Sequence, residues 1–208
     1  MSGNGKRLIA REGIPVLAIL LLATVLCYVF SGFALSLFFA ALLLSGVFLF
    51  RDPVCEVPAD PLAIVSPASG EIVSICEVED YRLSRRAQRV RIKLSLGDTH
   101  SLRSPIEGKV LNQWHSSEAG GDFQRYCAFW IQTDESDDLV LGLGMDAAAM
   151  FTRMTLSSGQ RAGQGQRCGF LYLSGTVDVY VPENARIELS AGEQACAGTT
   201  ILAHFVRK

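Results

Sequence analysis

The chain has 208 residues, 49% of them hydrophobic, a positive mean hydropathy and a formal net charge of −2. That length holds one ordinary domain and an appendage, the composition is too apolar for a wholly soluble protein of this size, and the near-neutral charge excludes a general nucleic-acid-binding role.

The apolar excess is concentrated near the N-terminus. Residues 1–13 form a basic segment with Lys6, Arg7 and Arg11, and residues 14–50 contain no charged side chain. One membrane-spanning helix needs about 20 apolar residues, so this run is long enough for two short helices, at 15–30 and 33–50, with a turn at Ser31-Gly32. Pro15 suits the first turn of a helix. Arg11 before the run and Arg51 after it place both ends on the cytoplasmic side of the inner membrane by the positive-inside rule. The run outlasts the apolar core of a signal peptide. Its Ser31, Gly32, Ser36, Ser45 and Gly46 leave open a hairpin that enters only one leaflet.

From Arg51 onward the pattern changes to short alternating stretches separated by Gly, Pro, Ser and Asp. Strands are expected at 63–65, 71–75, 89–94, 128–131, 139–141, 170–173, 177–181 and 201–203, with an Ala-rich turn or short helix at 145–154. This spacing predicts a mainly β domain over 51–208, a barrel-sandwich of the hybrid-motif kind behind an α-helical membrane hairpin. Two phrases repeat: Ser66-Pro67-Ala68-Ser69-Gly70-Glu71-Ile72-Val73 and Ser104-Pro105-Ile106-Glu107-Gly108-Lys109-Val110. Each is a Pro-led turn whose Gly feeds a β-branched strand. With 192–203 read as a further Gly-punctuated hairpin, they suggest internal pseudo-symmetry. The acidic run Asp134-Glu135-Ser136-Asp137-Asp138 reads as a solvated hairpin tip, and Gly142-Leu143-Gly144 and 159–165 as loops. Arg82, Arg85, Arg86, Arg89 and Arg91 form a basic patch that could meet lipid phosphates or face water. Six scattered cysteines show no C-x-x-C spacing and read as free thiols, and no His, Asp and Glu grouping has metal-ligand spacing.

Ile9-Ala10-Arg11-Glu12-Gly13, Phe50-Arg51-Asp52-Pro53, Asp98-Thr99-His100-Ser101-Leu102-Arg103-Ser104-Pro105, Gly165-Gln166-Arg167-Cys168-Gly169 and Val177-Asp178-Val179-Tyr180-Val181-Pro182, taken in that order, resemble the phosphatidylserine decarboxylases, especially the short bacterial and archaeal type. The resemblance implies a membrane protein of phospholipid biosynthesis, a possible homodimer, that acts on phosphatidylserine. It also implies a pyruvoyl cofactor made from the chain itself. In that family a Ser hydroxyl of a Gly-Ser pair attacks the preceding carbonyl and the resulting ester eliminates. The pyruvoyl group so formed on the new N-terminus serves as electron sink for loss of carbon dioxide. A His and an Asp assist the cleavage. His100 matches the family His, and Arg103 and Arg167 are the possible lipid contacts.

The chain departs from the pattern at three places. Ser174-Gly175 stands where the family has Gly-Ser, so Ser174 becomes the candidate pyruvoyl precursor, with cleavage after Leu173. A one-residue shift along a strand turns a side chain to the other face, and a bulge at Gly175 could reverse that. Ser69 occupies the position of the family's turn Asp; it can hydrogen-bond but cannot hold the charge of an imidazolium. Ser101-Leu102 replaces the family's Val-Asn. Two readings stay open: a decarboxylase using Ser174, and a non-processing relative kept as a membrane-anchored lipid- or partner-binding module.

Overall fold

The computed structural model describes residues 9–30, 32–53, 55–116, 125–145, 152–172 and 175–206, and the chain divides into two compact units, 1–54 and 55–208. In the first unit a short 3-10 turn, Arg11–Gly13, leads into α1 (Ile14–Phe30), and α2 spans Phe33–Leu49. Gly46 lets the helices approach, because a Cβ there would touch the Leu17 and Leu20 side chains. The chain before α1 is pinned to the chain after α2: Ala10 N–H donates to Phe50 O (2.8 Å) and Ile9 bridges to Arg51. Arg51 lies over the Phe48 ring at 4.3 Å. The Thr24, Ser36 and Ser45 hydroxyls donate back to Leu20, Phe33 and Ala41 carbonyls, which satisfies them in an apolar setting. Both helices leave large apolar side chains uncovered, Phe30 at 81% and Phe33 at 73%. Counted from its 3-10 turn, the first helix is long and apolar enough to cross a membrane, and the second is shorter.

The second unit is mainly β. Its strands are β1 (Ala63–Val65), β2 (Gly70–Asp80), β3 (Arg85–Leu94), β4 (Ser101–Arg103), β5 (Gly108–Ser116), β6 (Arg125–Gln132), β7 (Asp138–Met145), β8 (Thr152–Met154), β9 (Arg161–Ala162), β10 (Arg167–Leu171), β11 (Gly175–Pro182), β12 (Arg186–Ile187), β13 (Gln194–Ala195) and β14 (Ile201–His204). They form an eight-stranded sheet, β13-β2-β3-β11-β7-β6-β5-β9, and two three-stranded sheets, β1-β14-β12 and β4-β10-β8. Among the described residues no sheet closes on itself, so the expected barrel is an open one-sheet layer with two small sheets.

The strand orders show a pseudo-two-fold. Exchanging β1 with β4, β2 with β5, β3 with β6, β7 with β11, β8 with β12, β9 with β13 and β10 with β14 maps every sheet onto itself or its counterpart. The directly paired Leu141 and Val179, both fully buried, lie on the axis. Small irregularities repeat too: β2 bulges between Ile72 and Ser74, and β5 between Val110 and Asn112. The repeated Ser-Pro phrases are this symmetry seen in sequence. Ser66 Oγ donates to Ala68 O (2.7 Å) and Ser104 Oγ to Ile106 O (2.8 Å), while Val65 N–H donates to Pro105 O (2.9 Å) and Arg103 N–H to Pro67 O (2.8 Å). Alternation along the long strands sends Val90, Ile92, Leu94, Phe129, Ile131, Leu141, Leu143, Val177, Val179 and Val181 into one core. The opposite face carries a smaller cluster of Ala87, Ala128, Val140 and Tyr180 under Trp114 and Trp130.

Two expectations are corrected, and a third lies mostly outside the described residues. Residues 192–203 are not a hairpin, since β13 pairs with β2 and β14 with β1 and β12. Gly142-Leu143-Gly144 lies inside β7, where Gly144 faces Thr176 so closely that a Cβ would meet its Oγ1 at 2.5 Å. The expected turn at 145–154 falls mostly on 146–151, outside the described residues; its ends belong to β7 and β8.

Candidate functional site

The start of β2, the end of β3 and the start of β11 meet at one end of the large sheet. Lys93 pairs with Glu71 on one side and Thr176 on the other, and Leu94 pairs with Gly175. Gly70 lies directly on this junction, because a Cβ there would collide with Lys93 O. Beyond Leu94 the chain turns at Ser95, whose N–H donates to Asp98 Oδ2 (2.8 Å), and reaches His100 just before β4. The fold therefore brings the strand starts bearing Ser69 and Gly175 to the strand that delivers His100.

His100 is fully buried. Its Nε2 lies 3.4 Å from Leu96 O, its carbonyl accepts the Leu171 N–H (2.9 Å), and its ring centroid is 6.1 Å from that of Phe170. Its Nδ1 is buried without a hydrogen-bond partner among the described residues, none of which orients the ring from that side. The pseudo-symmetric position is Leu62, whose carbonyl accepts the Phe205 N–H (3.0 Å) in the same way. An imidazole stands where the scaffold itself requires only an apolar side chain.

Ser69 Oγ accepts the Ala197 N–H at 3.1 Å, which ties the turn to the loop after β13. Ser174 lies outside the described residues. Gly175 does not, and β11 pairs with β3 without a register shift from Gly175–Leu94 to Pro182–Ala87. The bulge that could have redirected Ser174 is absent from this ladder.

Arg103 is 9% exposed, and its Nη1 donates to Gly165 O (3.1 Å). Arg167 is the register partner of Arg103 and holds its guanidinium 5.6 Å from the Phe170 ring centre. Between these arginines and the core, burial pushes the Cys168 thiol up to about 12, despite the opposing pull of both cations. Gly198, at φ +72°, packs beside this group; a Cβ there would meet Cys55 Sγ at 2.6 Å and Arg103 Cδ at 2.7 Å.

The basic patch on β3 and the turn before it is engaged within the domain. Arg91 makes two hydrogen bonds to the buried Asp178 (2.7 and 2.8 Å), which hold its guanidinium above the usual arginine range. Arg85 donates to Asp138 O (2.8 Å), Arg86 lies 3.7 Å from Glu183 and Arg82 3.8 Å from Asp80, and Arg89 donates to Cys76 Sγ (3.4 Å). These arginines build the sheet's second face, which favours the structural over the lipid-phosphate reading of the patch. His204, given no role by the sequence, lies between Asp60 (3.1 Å) and Glu188 (3.3 Å). All six cysteines are free. Sequence reasoning missed Leu96, Phe170 and Leu171 as the surroundings of His100; the one local signal was the Ser95-Leu96-Gly97-Asp98 turn, closed by the Asp98 side chain accepting the Ser95 N–H.

Comparison with known proteins gives one consistent result. The family model described as phosphatidylserine decarboxylase matches residues 46–203. The chain is 31% identical over 207 residues to a protein of Nitrosomonas europaea named phosphatidylserine decarboxylase proenzyme, with 95% of each chain covered. It is 32% identical over 209 residues to the proenzyme of Nitrosomonas eutropha, again covering 95% of each, and 31% identical over 210 residues to that of Aromatoleum aromaticum, covering 95% and 96%. No solved structure matches the chain.

Proposed function

Because this chain belongs to the phosphatidylserine decarboxylase family, we propose that it is a non-processing relative: a membrane-anchored module that engages phosphatidylserine or a related phospholipid without making a pyruvoyl group. The observation that carries this reading is the start of β11. Gly175 occupies the position of the family's pyruvoyl-forming serine, in an unbroken ladder with β3, and offers no hydroxyl. The surroundings agree. Ser69 stands in place of the acid and its oxygen is engaged by a backbone N–H, and Nδ1 of His100 has no hydrogen-bond partner among the described residues. The described residues do not fit a self-generated pyruvoyl group.

Residues 14–50 hold the chain in the inner membrane, and the β domain faces the cytoplasm, where phospholipid headgroups of that leaflet are presented to it. Arg167, with Arg103 behind it, supplies positive charge for a headgroup phosphate or carboxylate. The partners of this reading are the phospholipid membrane and a second copy of the chain.

The second reading, a decarboxylase that cleaves after Leu173 and makes its pyruvoyl from Ser174, is favoured by the buried His100 at the family position. Intact mass separates the two. The full chain, purified in detergent beside Ser174→Ala, is expected to give one uncut species in both. Two fragments in the wild type alone, the shorter carrying a ketone-reactive blocked N-terminus, would overturn the proposal and install the second reading.

A further inference from the structure

The pseudo-two-fold pairs two loop glycines, Gly165 before β10 and Gly198 before β14. Gly165 N–H donates to Ser104 O (2.8 Å) and Gly198 N–H to Ser66 O (2.6 Å), the serines that open the repeated Ser-Pro phrases. Both glycines hold φ in the left-handed region, +68° and +72°, which other residues rarely adopt. A Cβ on Gly198 would lie 3.5 Å from Gly165 Cα, so the two loops meet. Arg103 lies against both glycines. Its Nη1 donates to Gly165 O (3.1 Å), and its Cδ is 2.7 Å from the point a Gly198 Cβ would occupy. Its counterpart across the axis is Val65, so the scaffold requires no cation at this place.

Residues 55–59 run over these glycines. Val57 packs on Gly165, where a Cβ would collide with its Cγ2, and Cys55 packs on Gly198, where a Cβ would meet Cys55 Sγ at 2.6 Å. The missing side chains are thus the seat of a strap, and the strap covers the residue both glycines hold: Arg103 is 9% exposed. Little retains it. Among the described residues no backbone group of 55–59 makes a hydrogen bond, Pro58 has no N–H to offer, and Glu56, Val57 and Ala59 are exposed. Thr199 Oγ1 donates to Cys55 Sγ (3.5 Å). Firm anchorage begins at Asp60, whose carboxylate accepts the Leu62 N–H (3.0 Å) and lies 3.1 Å from His204 Nε2. A segment with few backbone bonds and a fixed end opens locally before the domain unfolds.

We propose that residues 55–59 are a lid, hinged at Asp60, that covers Arg103 at rest and lifts to admit the anionic headgroup of phosphatidylserine to its guanidinium. The lid rests on the headgroup role proposed for Arg103, and is independent of whether the chain processes itself. An anion paired with a guanidinium in a sheltered seat gains more than the same pair does in open water. That gain offsets the loss of the Cys55 and Val57 contacts. Neutral headgroups offer no such compensation, so the lid also selects for charge.

The test uses the full chain in a non-ionic detergent, with dihexanoyl phosphatidylserine as ligand and dihexanoyl phosphatidylcholine as control. Thr199→Cys in a Cys196→Ser background sets a thiol beside Cys55 Sγ, so that oxidation ties the strap down. The reduced variant is expected to bind phosphatidylserine as the wild type does. The oxidised one should bind about ten-fold more weakly or worse, as for an open state held to a tenth of its population or less, and dithiothreitol should restore it. In the wild type, alkylation of Cys55, followed by mass spectrometry, is expected to speed up with phosphatidylserine and not with phosphatidylcholine. Equal binding by the oxidised and reduced variant overturns the lid and leaves the headgroup role standing. A wild type that does not bind phosphatidylserine, or an Arg103→Met that binds it equally well, removes the headgroup role and the lid with it. If the disulfide does not form, Cys55 alkylation decides, and a rate indifferent to phosphatidylserine overturns the proposal.

Discussion

Cys168 titrates in opposite senses to its charge surroundings and its burial, and burial wins. The free thiol ionises near 9.0, whereas in the fold it does so only at about 12. Between these values the folded chain holds the proton that the unfolded chain has released, so stability is full below pH 9 and falls as pH rises toward 12. The slope is at most about 1.4 kcal/mol per pH unit. Urea unfolding at pH 8 and pH 10.5 is therefore expected to show an alkaline loss that Cys168→Ala flattens, at the expense of roughly 1–2 kcal/mol at neutral pH from the cavity. An equally steep alkaline limb in the variant would assign the loss to other groups. Thiol reagents should label the exposed Cys196 well before Cys127 and Cys168, which are buried. At this scale the sequence marked His100 and Arg167 as positions, because motif spacing survives in one dimension. It could not show that the His100 ring lies beside Phe170 or that Ser69 is committed to Ala197, since both partners lie far along the chain.

At the scale of elements, the long strands were readable because one buried face forces alternation, as in Val90, Ile92 and Leu94 of β3. β4 was not, because Ser101-Leu102-Arg103 carries neither alternation nor an apolar run, unlike the equally buried Ala63-Ile64-Val65 of β1. The two-residue strands β9, β12 and β13 exist only through their partners, and the 192–203 hairpin failed for the same reason: each arm pairs with a strand near the start of the domain. The glycines opening β2 and β5 were legible as turn chemistry but have a further steric duty. A Cβ at Gly70 would strike Lys93 O, and one at Gly108 would strike Gln132 O, the pseudo-symmetric carbonyl. Gly70→Ala and Gly108→Ala are expected to destabilise the domain by about 1–3 kcal/mol each, with Gly70 the worse because its φ is +155°. Gly192→Ala meets open space at φ +91°, so only the backbone cost of about 1 kcal/mol should appear. Chemical denaturation of the three variants checks the order; a Gly108→Ala as mild as Gly192→Ala would mean that the β6 end yields to the added methyl.

Across the whole molecule, the two-fold supplies two equivalent places, and the residues proposed for the chemistry are among those that break the symmetry. His100 answers to Leu62, Ser69 to Glu107 and Gly175 to Asp137 across the axis, while the Ser-Pro turns, bulges and pairings around them are shared by both halves. On the proposed reading, the scaffold is thus intact where the processing groups have changed. Restoring the groups alone should then restore the reaction. The triple variant Ser69→Asp, Ser174→Gly, Gly175→Ser places a hydroxyl in the first pair of the β11–β3 ladder, an extended conformation that serine adopts without strain, and returns an acid to the turn after Pro67. The detergent-purified variant is expected to cleave itself between residues 174 and 175, seen as two masses in place of one, and His100→Ala in that background should leave it whole. An uncut triple variant that folds would mean that the departures extend beyond these positions, with Ser101-Leu102 beside His100 the next place to restore.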